Sequence, residues 1–479
     1  MALWTAHRPI DRARHRFIGF SDPDYIDSLF SRRLRVGTAP LEIAAHRNVR
    51  YVPPSLAAPD VWASGGLIDR DGDLIPLVRD WTPEGATLLG LREAVAGDGG
   101  PVIDGDVLYL GWLFEDFGHL LVETLSRIWA VGAVPASTRV LVHYWPGKEP
   151  PASHLAVLAA FGIPRERLLI PDRPVTIASL LMPDATLLLT TMVHDQAGRA
   201  FREVASRIAG DAPTSDQPVY FSRSLLPSRT RPVIGEEALE DVLRENGYLI
   251  VNPDTLPFTE QVRVAATHRV FVGPEGGARF LTMFSPPGSR CHVLMPPQFR
   301  DINVLGSEVG LQDASYHHAL QSRDWQWNVV ALNVRAAAEV LFEEGLIASR
   351  RRIPYLPGDM EETAEFEEAW LFRCLTVPLP GTPALGAEMA AALGRLRSSA
   401  WPVLAAIVAT AAPEELTAGQ ADTLMQAFAA ALAEERDGRH RFRYSAQVRD
   451  LAHRALARCG PDTRETVLAA LAAHLPGGA

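Results

Sequence analysis

Short apolar runs alternate with stretches of helical periodicity through the middle of the chain. TRVLVHYW (138–145) predicts a strand, and SHLAVLAAFG (153–162) a helix stopped by Gly162 and Pro164. RLLIP (167–171) and VTIASLLMP (175–183) read as strands, and Ala197–Ala209 as a helix. The polar stretch GDAPTSDQ (210–217) then breaks the pattern and marks the best internal boundary. A second alternating block follows. PVYFSRS (218–224) predicts a strand, EEALEDVLRENG (236–247) an amphipathic helix, YLIVNP (248–253) a strand and FTEQVRVAATH (258–268) a helix. RVFVGPEGGARFLTMFSPPG (269–288) reads as strand, Gly-rich turn, helix and proline stop, and CHVLMPP (291–297) as another strand.

Two successive strand–helix blocks joined by a polar linker predict an α/β fold with two Rossmann-like domains. Upstream, GLIDRDGDLI and PVIDGDVLYLGW carry Asp71-Gly72 and Asp104-Gly105 between apolar flanks, which predicts hairpin turns. Phe117–Val131 has helical periodicity, with Leu120, Leu121, Leu125, Ile128 and Trp129 on one stripe. Downstream, 382–475 is rich in Ala and Leu, with helices expected near 385–397, 401–411, 418–434, 443–458 and 463–473. The expected organisation is a hairpin-rich segment at 1–84, a first Rossmann-like domain at 85–210, a second at 216–330, and a mainly helical region at 335–479.

Composition narrows the function classes. At roughly 150 residues per domain, a chain of 479 residues is long enough for several cores. The net charge of −11 argues against nucleic acid as the main partner, because duplex binders carry a basic excess. Lys148 is the only lysine, a bias that points to a GC-rich genome and not to chemistry; the expected source is bacterial. Cys291, Cys374 and Cys459 lie far apart with no CxxC, which excludes a zinc ribbon or a disulfide scaffold. The start, MALWTAHRPIDRARHRF, lacks the apolar core of a secretory leader. No apolar run reaches membrane-spanning length. The expectation is a cytoplasmic protein without a transmembrane segment, compatible with peripheral membrane association.

Three stretches could carry chemistry. In Arg269–Phe284, Gly273, Pro274, Glu275, Gly276 and Gly277 form a turn between a strand and a helix that begins at Ala278. Such a turn aims backbone N–H groups and the helix dipole at an anion. Arg279 in the first helical turn would add charge. The plain alternative is that the glycines only make the turn. Next, Ser222-Arg223-Ser224 ends a predicted strand, where open α/β sheets bind ligands. An arginine there suits phosphate, and the alternative is a surface loop arginine. Third, His119 sits where a helix begins, with Asp116 before it and Glu123 on the same face at i+4. His119 could take a proton from a hydroxyl. From spacing alone, a histidine merely bonded to its own Glu123 is the favoured reading.

Taken in order, these motifs resemble glycosyltransferase family 61, whose members are often described as capsular polysaccharide biosynthesis proteins or by the older label domain of unknown function 563. The residues carrying the resemblance are Gly118, His119, Glu123 and Arg127; then Ser222, Arg223 and Ser224, with Glu236 and Glu237; then Glu260 and Gln261; last Val272, Gly273, Pro274, Gly276, Gly277, Ala278 and Phe284. The likeness covers about residues 50–320. It implies a GT-B-like pair of Rossmann-like domains and inverting transfer from a nucleotide sugar to a glycan or lipid-linked acceptor. Arg223, Ser222 and the turn Gly273–Arg279 would hold the donor. His119 would be the base, with Glu123 orienting it, and Asp116 and Glu115 would be in reserve. No metal or other cofactor is required. Glu275 stands where the family has His, which leaves a non-catalytic scaffold that binds a sugar nucleotide or glycan as the alternative.

Overall fold

The structure is a computed structural model. It describes residues 6–20, 22–55, 64–75, 100–225, 233–234, 236–296, 301–321, 330–332, 334–349 and 459–474, with isolated residues between 418 and 456. The strands in the first half are β1 (His7–Pro9), β2 (His15–Ile18), β3 (Arg35–Gly37), β4 (Ile43–Ser55), β5 (Ser64–Ile68), β6 (Val102–Trp112), β7 (Arg139–His143), β8 (Leu168–Leu169), β9 (Val175–Pro183), β10 (Leu187–Leu188) and β11 (Met192–His194). They are followed by β12 (Val219–Phe221), β13 (Val233–Ile234), β14 (Leu249–Val251), β15 (Val270–Pro274), β16 (Arg290–Met295), β17 (Asp313–His318), β18 (Leu320–Gln321) and β19 (Val330–Leu332). The helices are α1 (Pro23–Ser28), α2 (Phe117–Val122), α3 (Ala152–Ala160), α4 (Arg199–Ala209), α5 (Glu236–Glu245), α6 (Phe258–Ala266), α7 (Ile302–Gly310), α8 (Val334–Glu343) and α9 (Pro461–His474).

The chain divides into two compact units. The first takes Met1–Ser222, Gly247–Met295 and Phe299–His318, and it is mixed α/β. It holds two separate six-stranded sheets. One has the order β5-β4-β9-β6-β7-β8, with β9, β6, β7 and β8 parallel and the β4 and β5 pairings antiparallel. The other, β14-β12-β15-β16-β17-β2, is parallel throughout. A smaller sheet, β1-β3-β11-β10, completes the unit. One continuous core spans both large sheets, and Phe284 stands in it with the rings of Phe201 at 5.1 Å, Phe258 at 5.7 Å and Phe161 at 6.0 Å.

The second unit takes Arg223–Asn246, Pro296–Gln298 and Ala319–Ala479. Its described part has the small sheet β13-β19-β18 and the helices α5, α8 and α9. The helix expected near 463–473 is α9. Those expected near 385–397 and 401–411 lie outside the described residues, and those near 418–434 and 443–458 do so apart from isolated positions.

Three local expectations are corrected. Asp104-Gly105 does not turn a hairpin: β6 runs straight through it. A register shift between Ile103 and Asp106 opens a bulge, and Gly105 takes the positive φ of 80° that a bulge needs. By contrast, Asp71-Gly72 does turn, closed by a bridge between Ile68 and Leu74. The predicted helix Phe117–Val131 is α-helical only to Val122, then a 3-10 segment over Thr124–Ala133. The Thr124 hydroxyl donates to Trp112 O at 2.7 Å and the Ser126 hydroxyl to Glu123 O at 2.6 Å. The second competes with the α pattern, because Glu123 O is the acceptor an α turn would give to the Arg127 N–H; the first ties the start of the segment to the end of β6. The helix expected from Ala278 is likewise a 3-10 segment, Gly277–Phe284.

The N-terminal strand β2 was not anticipated. It pairs in parallel with β17 at the edge of the all-parallel sheet. His15, fully buried, meets Glu308 Oε1 at 2.9 Å and the Tyr316 hydroxyl at 3.3 Å.

Buried histidines give this unit a defined acid response. Burial lowers His143 to about 3, and burial with neighbouring His317 lowers His292 to about 3. In the unfolded chain both protonate near 6.5; in the folded chain they stay neutral. Their stability contribution is therefore whole above pH 6.5 and is lost as pH falls from 6.5 towards 3. Each should cost about 2 kcal/mol at pH 5 relative to pH 7. Urea unfolding across this range should show the midpoint falling, and His143→Phe should make the fall shallower.

Candidate functional site

In the all-parallel sheet, taken in chain order from β12, the strands run 2-1-3-4-5, with β14 and β15 on either side of β12. The order therefore reverses between β12 and β15, and α/β sheets bind ligands beyond the carboxyl ends of the strands at such a point. Both the Ser222 region and the Gly-rich turn leave the sheet there. Tyr220 pairs with Val272, and a Cβ on Gly273 would lie 3.0 Å from Phe221 O, so the two strand ends run side by side. Ser222 is buried, and its N–H donates to Val251 O at 2.8 Å. Arg223 follows it, 8% exposed, its backbone N–H donating to Glu236 Oε1 at 2.9 Å. Ser224 is buried as well.

The turn itself is tightly specified. The Glu275 N–H donates to Leu294 O at 2.9 Å, which keeps the chain in sheet register to that residue. Gly276 then takes φ 148° and ψ −175°, a conformation that needs glycine. Gly277 opens the 3-10 segment, with Ala278 half-buried behind it. The Glu275 carboxylate is held from the first turn of α7, where Asn303 Nδ2 donates to Oε1 at 2.9 Å.

Arg279 is placed differently from the expectation. It is 3% exposed, and its guanidinium lies against α7. Nη2 donates to Asn303 O at 2.6 Å and also reaches the Ser307 hydroxyl. The physical reason is the 3-10 winding and the small residue opposite: a Cβ on Gly306 would sit 2.7 Å from Arg279 Nη1. Its charge serves the interior of the unit and not the exposed face of the turn.

The third motif comes from the other large sheet. Asp116, which follows β6, caps α2, its Oδ1 accepting from His119 N–H at 3.0 Å. His119 Nδ1 bonds to Glu123 Oε1, so the expected i,i+4 pair forms. The His119 side chain is 33% exposed and that of Glu123 11%. The histidine is thus bonded to its own glutamate and presented to solvent at once. Glu115 is exposed; its carboxylate accepts from the Tyr144 hydroxyl at 3.1 Å and lies 3.8 Å from Lys148 Nζ. Burial first, then the Glu115 charge, pushes Tyr144 up to about 12. Arg127, by contrast, is a core residue. Its Nε donates to Pro183 O at 3.1 Å, and its guanidinium lies over the Tyr109 ring.

Two of the motifs meet. A Cβ on Gly277 would lie 3.0 Å from Gly118 N, and one on Gly118 would lie 3.1 Å from Gly277 Cα. The helix start carrying Asp116 and His119 is therefore in backbone contact with the Gly-rich turn carrying Glu275–Ala278, within the first unit. Sequence reasoning did not find Asn303. Its stretch, DINVLGSEVG, has no motif of its own, and the only signal was that a carboxylate in a Gly-rich turn calls for a donor. Among the described residues, no group of three or more His, Cys, Asp or Glu side chains is placed to hold a metal ion. No described helix is long and apolar enough to cross a membrane.

A side chain at Gly277 should part this contact without unfolding the unit. Overpacking of this kind costs about 1–3 kcal/mol. In Gly277→Val, amide exchange over Phe117–Val122 should accelerate roughly 5- to 150-fold, with the circular dichroism spectrum unchanged. Unaltered exchange would show that the two motifs do not depend on each other.

Residues 117–292 match the family model described as glycosyltransferase 61. The matched span opens at Phe117 of the His119 helix and closes in β16, so it takes in the His119 pair, the Ser222-Arg223 strand end and the Gly-rich turn. No curated protein matches the chain. The match supports glycosyltransferase as the class of activity, which implies a sugar donor and an acceptor as partners. The chain therefore carries a glycosyltransferase family 61 region over residues 117–292.

Proposed function

We propose that the protein is an inverting glycosyltransferase that moves a sugar from a nucleotide sugar to a hydroxyl of a glycan or lipid-linked acceptor. We place it in the cytoplasm of a bacterium, in the synthesis of surface polysaccharide. The observation that carries the reading is the backbone contact of Gly118 with Gly277, which sets a histidine–glutamate pair beside a Gly-rich turn at a sheet switch point. In this reading, 85–210 acts as the acceptor domain and 216–330 as the donor domain of a GT-B-like pair.

The chemistry follows from the groups present. Glu123 accepts the Nδ1 proton of His119, which leaves Nε2 as the basic nitrogen. Nε2 takes the proton of the acceptor hydroxyl as its oxygen attacks the anomeric carbon. The bond from that carbon to the diphosphate oxygen breaks on the opposite face, and its electron pair leaves with the diphosphate. The configuration inverts. Arg223 and the N–H groups of Gly276–Ala278 would meet the charge of the leaving group. Ser222 would line the same strand end. Glu275, fixed by Asn303, suits a ribose hydroxyl as a hydrogen-bond acceptor better than it suits a phosphate. No metal is needed in this scheme, so a chelator should leave transfer unchanged.

The replacement of the family's His by Glu275 favours one rival, a non-catalytic binder of sugar nucleotide or glycan. A thermal-shift screen of nucleotide sugars, followed by transfer assays on the stabilising donor, separates the two. Wild type should be stabilised and should transfer. His119→Ala should keep the stabilisation and lose the transfer. Arg223→Ala should weaken donor binding roughly 10- to 150-fold, and Arg223→Lys should restore it only in part because it lacks the paired contact. Stabilisation without transfer in wild type would favour the binder, and unchanged affinity in Arg223→Ala would move the donor site elsewhere.

A further inference from the structure

A run of half-buried aromatic rings leads away from His119 along the carboxyl edge of the other large sheet. The Phe114 ring lies 5.5 Å from the His119 ring, Trp112 lies 6.3 Å from Phe114, and Trp145 lies 5.2 Å from Trp112. Trp112 closes β6, and Trp145 comes two residues after the end of the neighbouring strand β7. All three rings keep partial exposure. Polar groups flank the strip: Lys148 Nζ lies over one face of the Trp145 ring, 5.9 Å from its centre, and the Glu115 carboxylate lies 3.8 Å from the same nitrogen. Taken in chain order from β6, the strands run 3-2-1-4, with β7 and β9 on either side of β6, so this edge too is a switch point.

Such a strip suits one kind of ligand well. A sugar ring has one face of C–H bonds and a periphery of hydroxyls. The C–H hydrogens are made positive by the attached oxygens and lie against the negative face of an indole or phenyl ring. The hydroxyls need a carboxylate and an ammonium at the edge. A purely apolar partner would leave Glu115 and Lys148 badly placed, and a nucleic acid would meet the charge of Glu115.

We propose that Trp112, Phe114 and Trp145 form an acceptor subsite that binds the sugar rings of a carbohydrate, with Glu115 and Lys148 holding its hydroxyls and the chain of rings ending at His119. This rests on the transferase reading for its role, but the binding itself does not. Acceptor selectivity then lies in this strip, apart from the donor turn.

The test is a printed array of oligosaccharides probed with the full chain, run beside the nucleotide-sugar thermal shift. Wild type should bind at least one oligosaccharide. Trp145→Leu, which keeps an apolar filler but no π face, should bind it roughly tenfold more weakly or worse. Trp145→Tyr should retain most of the binding. Phe114→Leu gives a second measure if Trp145→Leu does not fold. Donor stabilisation should be the same in all the folded variants. No binding by wild type, or equal binding by the Leu and Tyr variants, would overturn the subsite. Ring-dependent oligosaccharide binding without any nucleotide-sugar stabilisation would uphold it and sink the transferase reading instead.

Discussion

The approach of Gly118 to Gly277 is the constraint on which the candidate site depends. Each lacks a side chain at a point where a Cβ would lie 3.0–3.1 Å from the other's backbone. A Cβ at either position would be tighter than ordinary contact and would push the neighbouring backbone back by a few tenths of an ångström, and neither residue takes a positive φ. The requirement is therefore one of space and not of backbone freedom. Its consequence is that two segments from two different sheets share one surface. Asp116 caps one side of the contact, and Gly276 shapes the other. The aromatic clasp around Phe284, at the end of the same 3-10 segment, fixes the turn from behind.

Much of the alternating architecture was legible because each strand is a short apolar run bounded by a breaker. VTIASLLMP is strand β9 to the residue, and α3, α4, α5 and α6 stand where periodicity placed them. What periodicity does not record is winding. Over so short a run, apolar residues three or four apart do not separate an α-helix from a 3-10 segment, and here the Ser126 hydroxyl bonds back to Glu123 O within it. Strand β2 was illegible for a different reason. HRFI carries only two apolar residues, and its partner in the sheet is β17, some 300 positions away, with a buried contact between His15 and Glu308 beside it.

The site was legible in part for the same reasons. Gly118, His119 and Glu123 could be read from spacing because an i,i+4 pair is local. The nearness of Gly118 to Gly277 could not, because no local rule joins residues on separate sheets. Arg279 misled because its position in the first helical turn gave no hint of which way the 3-10 winding would turn the side chain.

That buried arginine has a role of its own. Asn303 O accepts from Arg279 Nη2 at 2.6 Å and from the Tyr316 and Ser307 hydroxyls at 3.1 Å each. The Tyr316 hydroxyl is also 3.3 Å from His15 Nδ1, and Asn303 Nδ2 holds Glu275. A guanidinium in the interior is costly unless its donors are used. Here Asn303 O and the Ser307 hydroxyl take Nη2 and the Phe280 ring lies 5.3 Å from the guanidinium carbon, while Nε and Nη1 are buried without a hydrogen-bond partner among the described residues, so part of that cost stands. The gain is positional. Three donors hold the Asn303 backbone carbonyl, and the side-chain Nδ2 of the same residue donates to the Glu275 carboxylate at the mouth of the turn. The chain of bonds runs from strand β2 to Glu275 without leaving the first unit. A segment near the N-terminus, some 260 residues earlier in the chain, is thereby joined by contacts to the carboxylate at the candidate donor edge.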